Sequence, residues 1–298
     1  MITNCRANID LHTHTNASDG LLSPVELIKR AINNKVKVLS ITDHDTFSGY
    51  TSVIDYAKEN NLILIPGVEI SAIWRGKLVH VVGLNFDTFN QDLIQGIAKE
   101  REFQRNRIEE IGVNLEGIGV KDLRRRAKSQ AGNANKINLW HYANILLEDG
   151  YKNDIFKGVK FCSGIGKKLG YKLSGTTMDL AVSLIKGAAG IPVLAHPCKL
   201  KSIADSDLKH LFSDFKECGG TAVELYSGSL DIDNVKLVNN FMKSSGLWGT
   251  IGSDFHSIAT SDIDVGGVPL YGFEIQAFLK KIEDVLELPR NTLIIHSK

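Results

Sequence analysis

The chain has 298 residues, 43% of them hydrophobic, enough to bury a full core as one large domain or as a domain carrying an insertion. Its 35 basic and 34 acidic residues leave a formal charge of +1, so no global field recruits nucleic acid or an anionic membrane, and any attraction for phosphate must be local. Cys5, Cys162, Cys198 and Cys218 form no CxxC pair, which speaks against a thiolate zinc site and a disulfide framework and suits reduced thiols in a cytoplasmic protein. The opening residues lack an apolar signal region and no apolar run of about 18 residues occurs, so neither secretion nor membrane spanning is expected. No protein partner is indicated.

From the start, short apolar runs alternate with helical patterns. A strand is expected over residues 9–11, then a helix opening at Ser23, where Ser23, Pro24 and Glu26 supply an N-cap, a first-turn proline and a capping-box acid. A strand over 36–41 and a helix through Tyr56 follow. Residues 62–65, leading into Pro66-Gly67-Val68-Glu69, and residues 78–84, with His80 inside, read as buried strands. From 88 to 190 the character changes to charged helical stretches such as 99–110 and 139–148, which predicts a mainly helical insertion between barrel segments 1–87 and 191–298.

Alternation then resumes, with strands at 191–195, 222–226 and 248–251 and helices near 208–218, 235–243 and 273–286. About seven βα units in one direction predict an α/β fold, a closed or nearly closed parallel barrel.

Six of the nine histidines fall at, inside or just beyond these strands. In parallel α/β folds the C-terminal strand ends converge, so Asp10-Leu11-His12-Thr13-His14, Thr42-Asp43-His44-Asp45, Gly67-Val68-Glu69, Ala195-His196-Pro197 and Gly252-Ser253-Asp254-Phe255-His256 are expected at one pocket. Side chains alternate along an extended segment, so His12 and His14 project to the same side and can reach one metal, as can Asp254 and His256. One histidine near a strand end is ordinarily a satisfied polar residue; the set is not explained that way. His141, His210 and His296, in helical or tail contexts, are read as structural.

Imidazole with carboxylate suits zinc, manganese or iron. The nine candidate ligands His12, His14, Asp19, His44, Glu69, His80, His196, Asp254 and His256 exceed what one ion can take, which implies two or three ions sharing a bridging carboxylate.

Together with Ser18-Asp19-Gly20 and His80-Val81-Val82-Gly83-Leu84, these segments resemble, in order, the motifs of the PHP (polymerase and histidinol phosphatase) superfamily. Within it the chain is most similar to the bacterial group that removes nucleotides from RNA 5′ ends and takes the 3′-phosphate from nucleoside 3′,5′-bisphosphates. The resemblance implies a distorted seven-stranded (β/α)7 barrel and a trinuclear site, usually filled by manganese, with zinc or iron as alternatives. On that pattern His12, His14, Glu69 and Asp254 hold one ion, Glu69, His80 and His196 a second, and Asp19, His44 and His256 a third. Asp43 and Asp45 orient imidazoles.

Three such ions against Asp19, Glu69 and Asp254 leave the site about three charges positive, the local attraction that net charge lacks. A metal-bound water ionises near neutral pH and attacks phosphorus, with Glu69, Asp254 and His196 as the catalytic ligands. The substrate so implied is a nucleotide or an RNA 5′ terminus.

The insertion departs from the pattern. Relatives carry a segment resembling R-x-H-x-A-R, whereas this chain has Leu139-Trp140-His141-Tyr142-Ala143-Asn144 and, later, Tyr171-Lys172-Leu173-Ser174. Neither Leu139 nor Asn144 can grip a phosphate as arginine does. Compensating cations are Lys199, which follows a ligand, Arg101 and Arg105 on a helix, and the run Arg124 to Arg126; a solvated face is the ordinary reading for each. Rival functions are a phosphatase of another small monoester, such as a histidinol-phosphate-like substrate, and a nonenzymatic metal-stabilised binding module.

Overall fold

A computed structural model describes residues 5–132, 137–168, 175–199, 205–228, 232–270 and 275–297. It divides into two compact units, one of Met1–Trp74, Leu78–Ile97 and Thr176–Lys298, the other of Arg75–Lys77 and Ala98–Gly175.

The first unit begins with β1 (Cys5–Ala7) and β2 (Ile9–Asp10), followed by α1 (Pro24–Asn33). α1 starts where its cap dictates. The Ser23 side chain accepts from the Glu26 N–H and Glu26 reaches back to the Ser23 backbone, which satisfies donors that a helix end would otherwise orphan. Leu27, Ile28 and Ala31 form the buried face of this helix.

β3 (Val38–Ile41) is buried throughout, and the helix expected after it is broken into α2 (Ser48–Thr51) and α3 (Ile54–Glu59). β4 (Ile63–Trp74) and β5 (Lys77–Leu84) then carry the candidate ligands Glu69 and His80 within strands. They are joined by Arg75 and Gly76, both at positive φ (46° and 72°), the conformation of a two-residue hairpin turn.

That turn corrects the expectation of strands in one direction. A parallel partner needs a crossover of a dozen or so residues, and a two-residue turn can only reverse the chain. β5 accordingly pairs antiparallel with β6 (Ile191–Leu194), with Val81 opposite Leu194. The remaining neighbours β2–β3, β3–β4 and β6–β7 are parallel, as is the pair of β7 (Ala222–Tyr226) with β8 (Trp248–Ile251).

The sheet order β2-β3-β4-β5-β6-β7-β8 is almost closed on itself. The Leu11 N–H donates to the Ile251 carbonyl at 3.0 Å and the His14 N–H to that of Phe255 at 2.9 Å. The seam of the barrel therefore runs between two segments that carry candidate ligands.

Helix α4 (Gln91–Gly117) runs from the first unit into the second, where α5 (Leu123–Ala131), α6 (Leu139–Glu148) and α7 (Ile155–Lys168) pack around Ile111, Leu115, Leu123, Tyr142, Ile145 and Leu146. The first unit resumes with α8 (Met178–Gly187), and α9 (Asp205–Glu217), α10 (Ile232–Ser245) and α11 (Ile275–Val285) complete its helices among the described residues. β9 (Pro269–Leu270) and β10 (Ile295–Ser297) join β1 in a small antiparallel sheet. Among the described residues, no helix is long and apolar enough to cross a membrane.

Candidate metal centre

All nine residues named from the sequence as ligands belong to the first unit, and their side chains meet. His12 and His14 follow β2 in extended backbone, and their Nε2 atoms lie 3.1 Å apart. Glu69 Oε2 is 3.2 Å from each, and Asp254 Oδ1 is 3.5 Å from His12 and 3.2 Å from His14. Four ligand atoms arranged tetrahedrally 2.0–2.2 Å from one ion lie roughly 3.3–3.6 Å apart, so these four atoms nearly match a metal's coordination shell.

The other Glu69 oxygen serves a second set. Oε1 is 2.9 Å from His80 Nδ1 and 2.8 Å from His196 Nε2, and those two nitrogens are 3.3 Å apart. His44 Nδ1 approaches Glu69 Oε2 at 3.2 Å, while its Nε2 faces Asp19 at 3.9 Å. Asp19 Oδ1 in turn lies 3.3 Å from His256 Nε2 and 3.6 Å from His14 Nδ1. Glu69 is thus shared by two sets of imidazoles, and His44 stands between Glu69 and Asp19.

Orphaned atoms show that these residues fit metal ions. His14 Nδ1, His44 Nδ1, His196 Nδ1 and Glu69 Oε2 are buried without a hydrogen bond, a costly condition unless something else engages them. The electrostatics agree. Burial works against the charge of Glu69, yet the His44, His12 and His80 imidazoles hold it well below the ordinary carboxylate range; Asp254 is held down in the same way, chiefly by His12 and His14. Burial pushes His44 down to about 4, whereas His14, where burial is outweighed by Asp254 and Glu69, is pushed up to about 10. The carboxylates stay anionic and call for cations among them.

Other groups aim the candidate ligands. Glu224, buried in β7, accepts from His12 Nδ1 at 3.1 Å and from the His196 N–H at 2.7 Å. His256 Nδ1 donates to the Asp254 carbonyl at 2.9 Å, which turns Nε2 toward Asp19. Asp10 is fully buried and accepts from the N–H groups of Ser253 (2.8 Å), Gly266 (2.7 Å) and His12 (3.3 Å), tying β2 to the loop after β8. Sequence reading missed both roles. The available signal for Glu224 was a lone carboxylate in the apolar strand Ala222-Val223-Glu224-Leu225-Tyr226.

Asp43 and Asp45, the pair expected to orient imidazoles, also tie neighbouring segments together. Asp43 accepts from the Thr15 N–H and hydroxyl and from the Ser18 hydroxyl, all at 2.7 Å, so it braces the loop that carries His14 and Asp19. Asp45 accepts from the Ser71 N–H and hydroxyl, and its charge helps to raise the His80 pKa.

Of the cations, Lys199 follows His196 and Pro197 in a short 3-10 turn and puts Nζ 2.5 Å from Asp254 Oδ2. Burial would weaken its charge, but Asp254 outweighs this and raises its pKa. Arg101 and Arg105 lie in the second unit on α4, where Arg105 pairs with Glu102 at 3.9 Å. Arg124 pairs with Glu109 and Glu116, Arg125 with Asp122, and Arg126 with Glu148 and Asp149, so that basic run is neutralised locally. Leu139 opens α6 and Asn144 lies exposed along it. Residues 171–174 lie outside the described residues.

An almost closed α/β barrel that gathers imidazoles and carboxylates about one shared glutamate defines a metal-dependent hydrolase. Residues 10–160 match the PHP domain, and the chain belongs to that family of phosphoesterases. It is 35% identical to a 5′-3′ exoribonuclease of Haemophilus influenzae over 83% of this chain and 89% of that one. It is 32% identical to a 3′,5′-nucleoside bisphosphate phosphatase of Chromobacterium violaceum over 87% and 91% of the two chains. A solved structure from Chromobacterium violaceum, described as an amidohydrolase with bound sulfate and no metal, shares the fold at a TM-score of 0.78 and 28% identity, covering 92% of this chain and 96% of that one.

Proposed function

We propose that this phosphoesterase acts in the cytoplasm on nucleotides or RNA 5′ termini, as a 5′-3′ exoribonuclease, a nucleoside 3′,5′-bisphosphate 3′-phosphatase, or both. The observation that carries the reading is Glu69, whose two oxygens face two separate sets of imidazoles. Similarity to the exoribonuclease and the bisphosphate phosphatase supports the substrate class.

The ligand set is His12, His14, Glu69 and Asp254 for one ion, Glu69, His80 and His196 for a second, and Asp19, His44 and His256 for a third, with manganese as the native metal. When bound, such ions supply a nucleophilic water at neutral pH and Lewis-acid stabilisation of charge on the phosphoryl oxygens. The chain's own contribution is placement. Glu224 fixes the His12 tautomer and the His196 backbone, Asp10 locks the loop of Asp254, and Lys199 brings a lasting positive charge to meet a substrate phosphate. Residues 88–190 are proposed as an insertion into the barrel of 1–87 and 191–298.

The test offers manganese-loaded protein three substrates: a nucleoside 3′,5′-bisphosphate, 5′-monophosphorylated RNA and a set of sugar phosphates including a histidinol-phosphate-like monoester. Turnover of either of the first two is expected. Hydrolysis confined to the last set would overturn the substrate assignment.

A further inference from the structure

The loops that bear Asp19 and His256 share a second feature. Each ligand is followed two residues later by an aliphatic side chain open to solvent, Leu21 at 71% exposure and Ile258 at 69%. The loops are tied together, because the Leu21 N–H donates to the His256 carbonyl at 2.9 Å. Ile258 lies two residues beyond that carbonyl, a backbone reach of at most about 7 Å.

Both loops are held in place. The Asn16 N–H donates to the Leu22 carbonyl and the Gly20 N–H to that of Thr15, at 2.8 and 2.9 Å. Gly20 abuts the His14 backbone so closely that a Cβ there would stand 2.4 Å from the His14 carbonyl oxygen. On the other loop the His256 N–H donates to Ser261 Oγ at 2.8 Å, and the Ser257 and Thr260 hydroxyls bond each other at 2.7 Å.

A single exposed aliphatic side chain needs no explanation. Two of them, on two joined loops that each carry a candidate ligand, put exposed aliphatic side chains two residues beyond Asp19 and His256. Neither a phosphate nor a metal ion gains from such side chains. The part of a nucleotide that does is the base, a flat ring system with two apolar faces.

We infer that Leu21 and Ile258 form a ledge that receives the nucleobase of the substrate while its phosphate lies at the metal centre. This rests on the nucleotide reading above. Aliphatic groups have no donor or acceptor with which to read a base edge, so the ledge binds purines and pyrimidines alike and selects for the presence of a base rather than its identity.

The test is calorimetric binding of a nucleoside 5′-monophosphate and of inorganic phosphate to the manganese-loaded full chain, for wild type, Leu21→Ala, Ile258→Ala and the double variant. Wild type should bind the nucleotide more tightly than phosphate. The double variant should lose about tenfold in nucleotide affinity, the scale of a lost apolar contact, and keep its phosphate affinity. KM for a nucleoside bisphosphate should rise in parallel with kcat held. Equal losses for nucleotide and phosphate, or no loss for either, overturn the ledge. Wild-type protein that binds the nucleotide no better than phosphate overturns the nucleotide reading itself, and the ledge with it.

Discussion

Glu224 joins two distant parts of the centre, accepting from the His12 imidazole at 3.1 Å through one oxygen and from the His196 backbone N–H at 2.7 Å through the other. The carboxylate offers an acceptor in both directions, which an amide cannot do. In Glu224→Gln one of the two donors must face an NH2 group, so either the His12 tautomer or the His196 backbone gives way. Metal affinity should fall about 10- to 100-fold with the fold retained, read by titration against a competing chelator alongside circular dichroism. An unchanged affinity would refute the positioning role.

Removal of metal should have a structural consequence as well as a catalytic one. His14, His44 and His196 each keep a buried nitrogen without a hydrogen bond, and Glu69 and Asp254 are held anionic among them, so cations bound here would stabilise the folded chain. Ions at 100 times their dissociation constant stabilise the native state by about 2.7 kcal/mol each. Chelator-treated protein should melt at a lower temperature than the manganese-loaded form, with recovery on adding Mn2+; identical melting curves would count against these ligands.

His196→Ala and Asp254→Asn each remove one proposed ligand, and each should reduce metal-dependent hydrolysis at least about 100-fold, the scale of lost charge stabilisation at a reacting centre. The metal content of the purified variants should fall with it. Hydrolysis that survives either change would sink the assignment of that residue.

Gly252 sits where His12, Glu224 and the loop of Asp254 converge. A Cβ there would stand 2.2 Å from His12 Cβ and 2.6 Å from Glu224 Oε1. Gly252→Ala must therefore push the His12 segment aside. It should cost about 1–3 kcal/mol by denaturant unfolding and weaken metal binding as well. Destabilisation with undiminished metal affinity would show that the strain is absorbed elsewhere.

Asp264 anchors α1 from outside the centre, accepting from Arg30 Nε and Nη2 at 2.5 and 2.8 Å. Burial opposes its charge, but hydrogen bonds from Arg30, Asn34 and the Val265 N–H hold its pKa below the usual value. A folded-state pKa below that of the unfolded chain stabilises above the unfolded value, about 3.9 for aspartate, and that contribution is lost as pH falls through the folded one. Wild type should exceed Asp264→Asn in stability at pH 7, with the gap closing below about pH 4. A gap that is constant with pH would mean that charge is not the source.

The sequence exposed this cluster because its candidate ligands come in local patterns. His12 and His14 alternate on extended backbone and their nitrogens do converge; β7 and β8 run over the expected 222–226 and 248–251. What stayed hidden depends on partners distant in sequence. Glu224 looks like any strand glutamate until a fold sets His12, 212 residues away, against it. The reversal at β5 rests on two positive-φ residues, Arg75 and Gly76, in a segment otherwise like its parallel neighbours. β1, β9 and β10 are two or three residues long, too short to show a period. Arg124 and Arg126 looked available because their acidic partners come from other helices and their ends.

The β4–β5 hairpin places Glu69 and His80 within regular strands, whereas Asp19, Leu21, Lys199 and Ile258 project from loops and turns. Pleat and register fix the first pair, and a slip of one residue would turn either to the opposite face of the sheet. The loops answer to no such constraint. Because Asp19 and His256 sit on the same loops as Leu21 and Ile258, a loop recast for a new substrate would also move a proposed ligand, while the shared glutamate stays where the hairpin holds it.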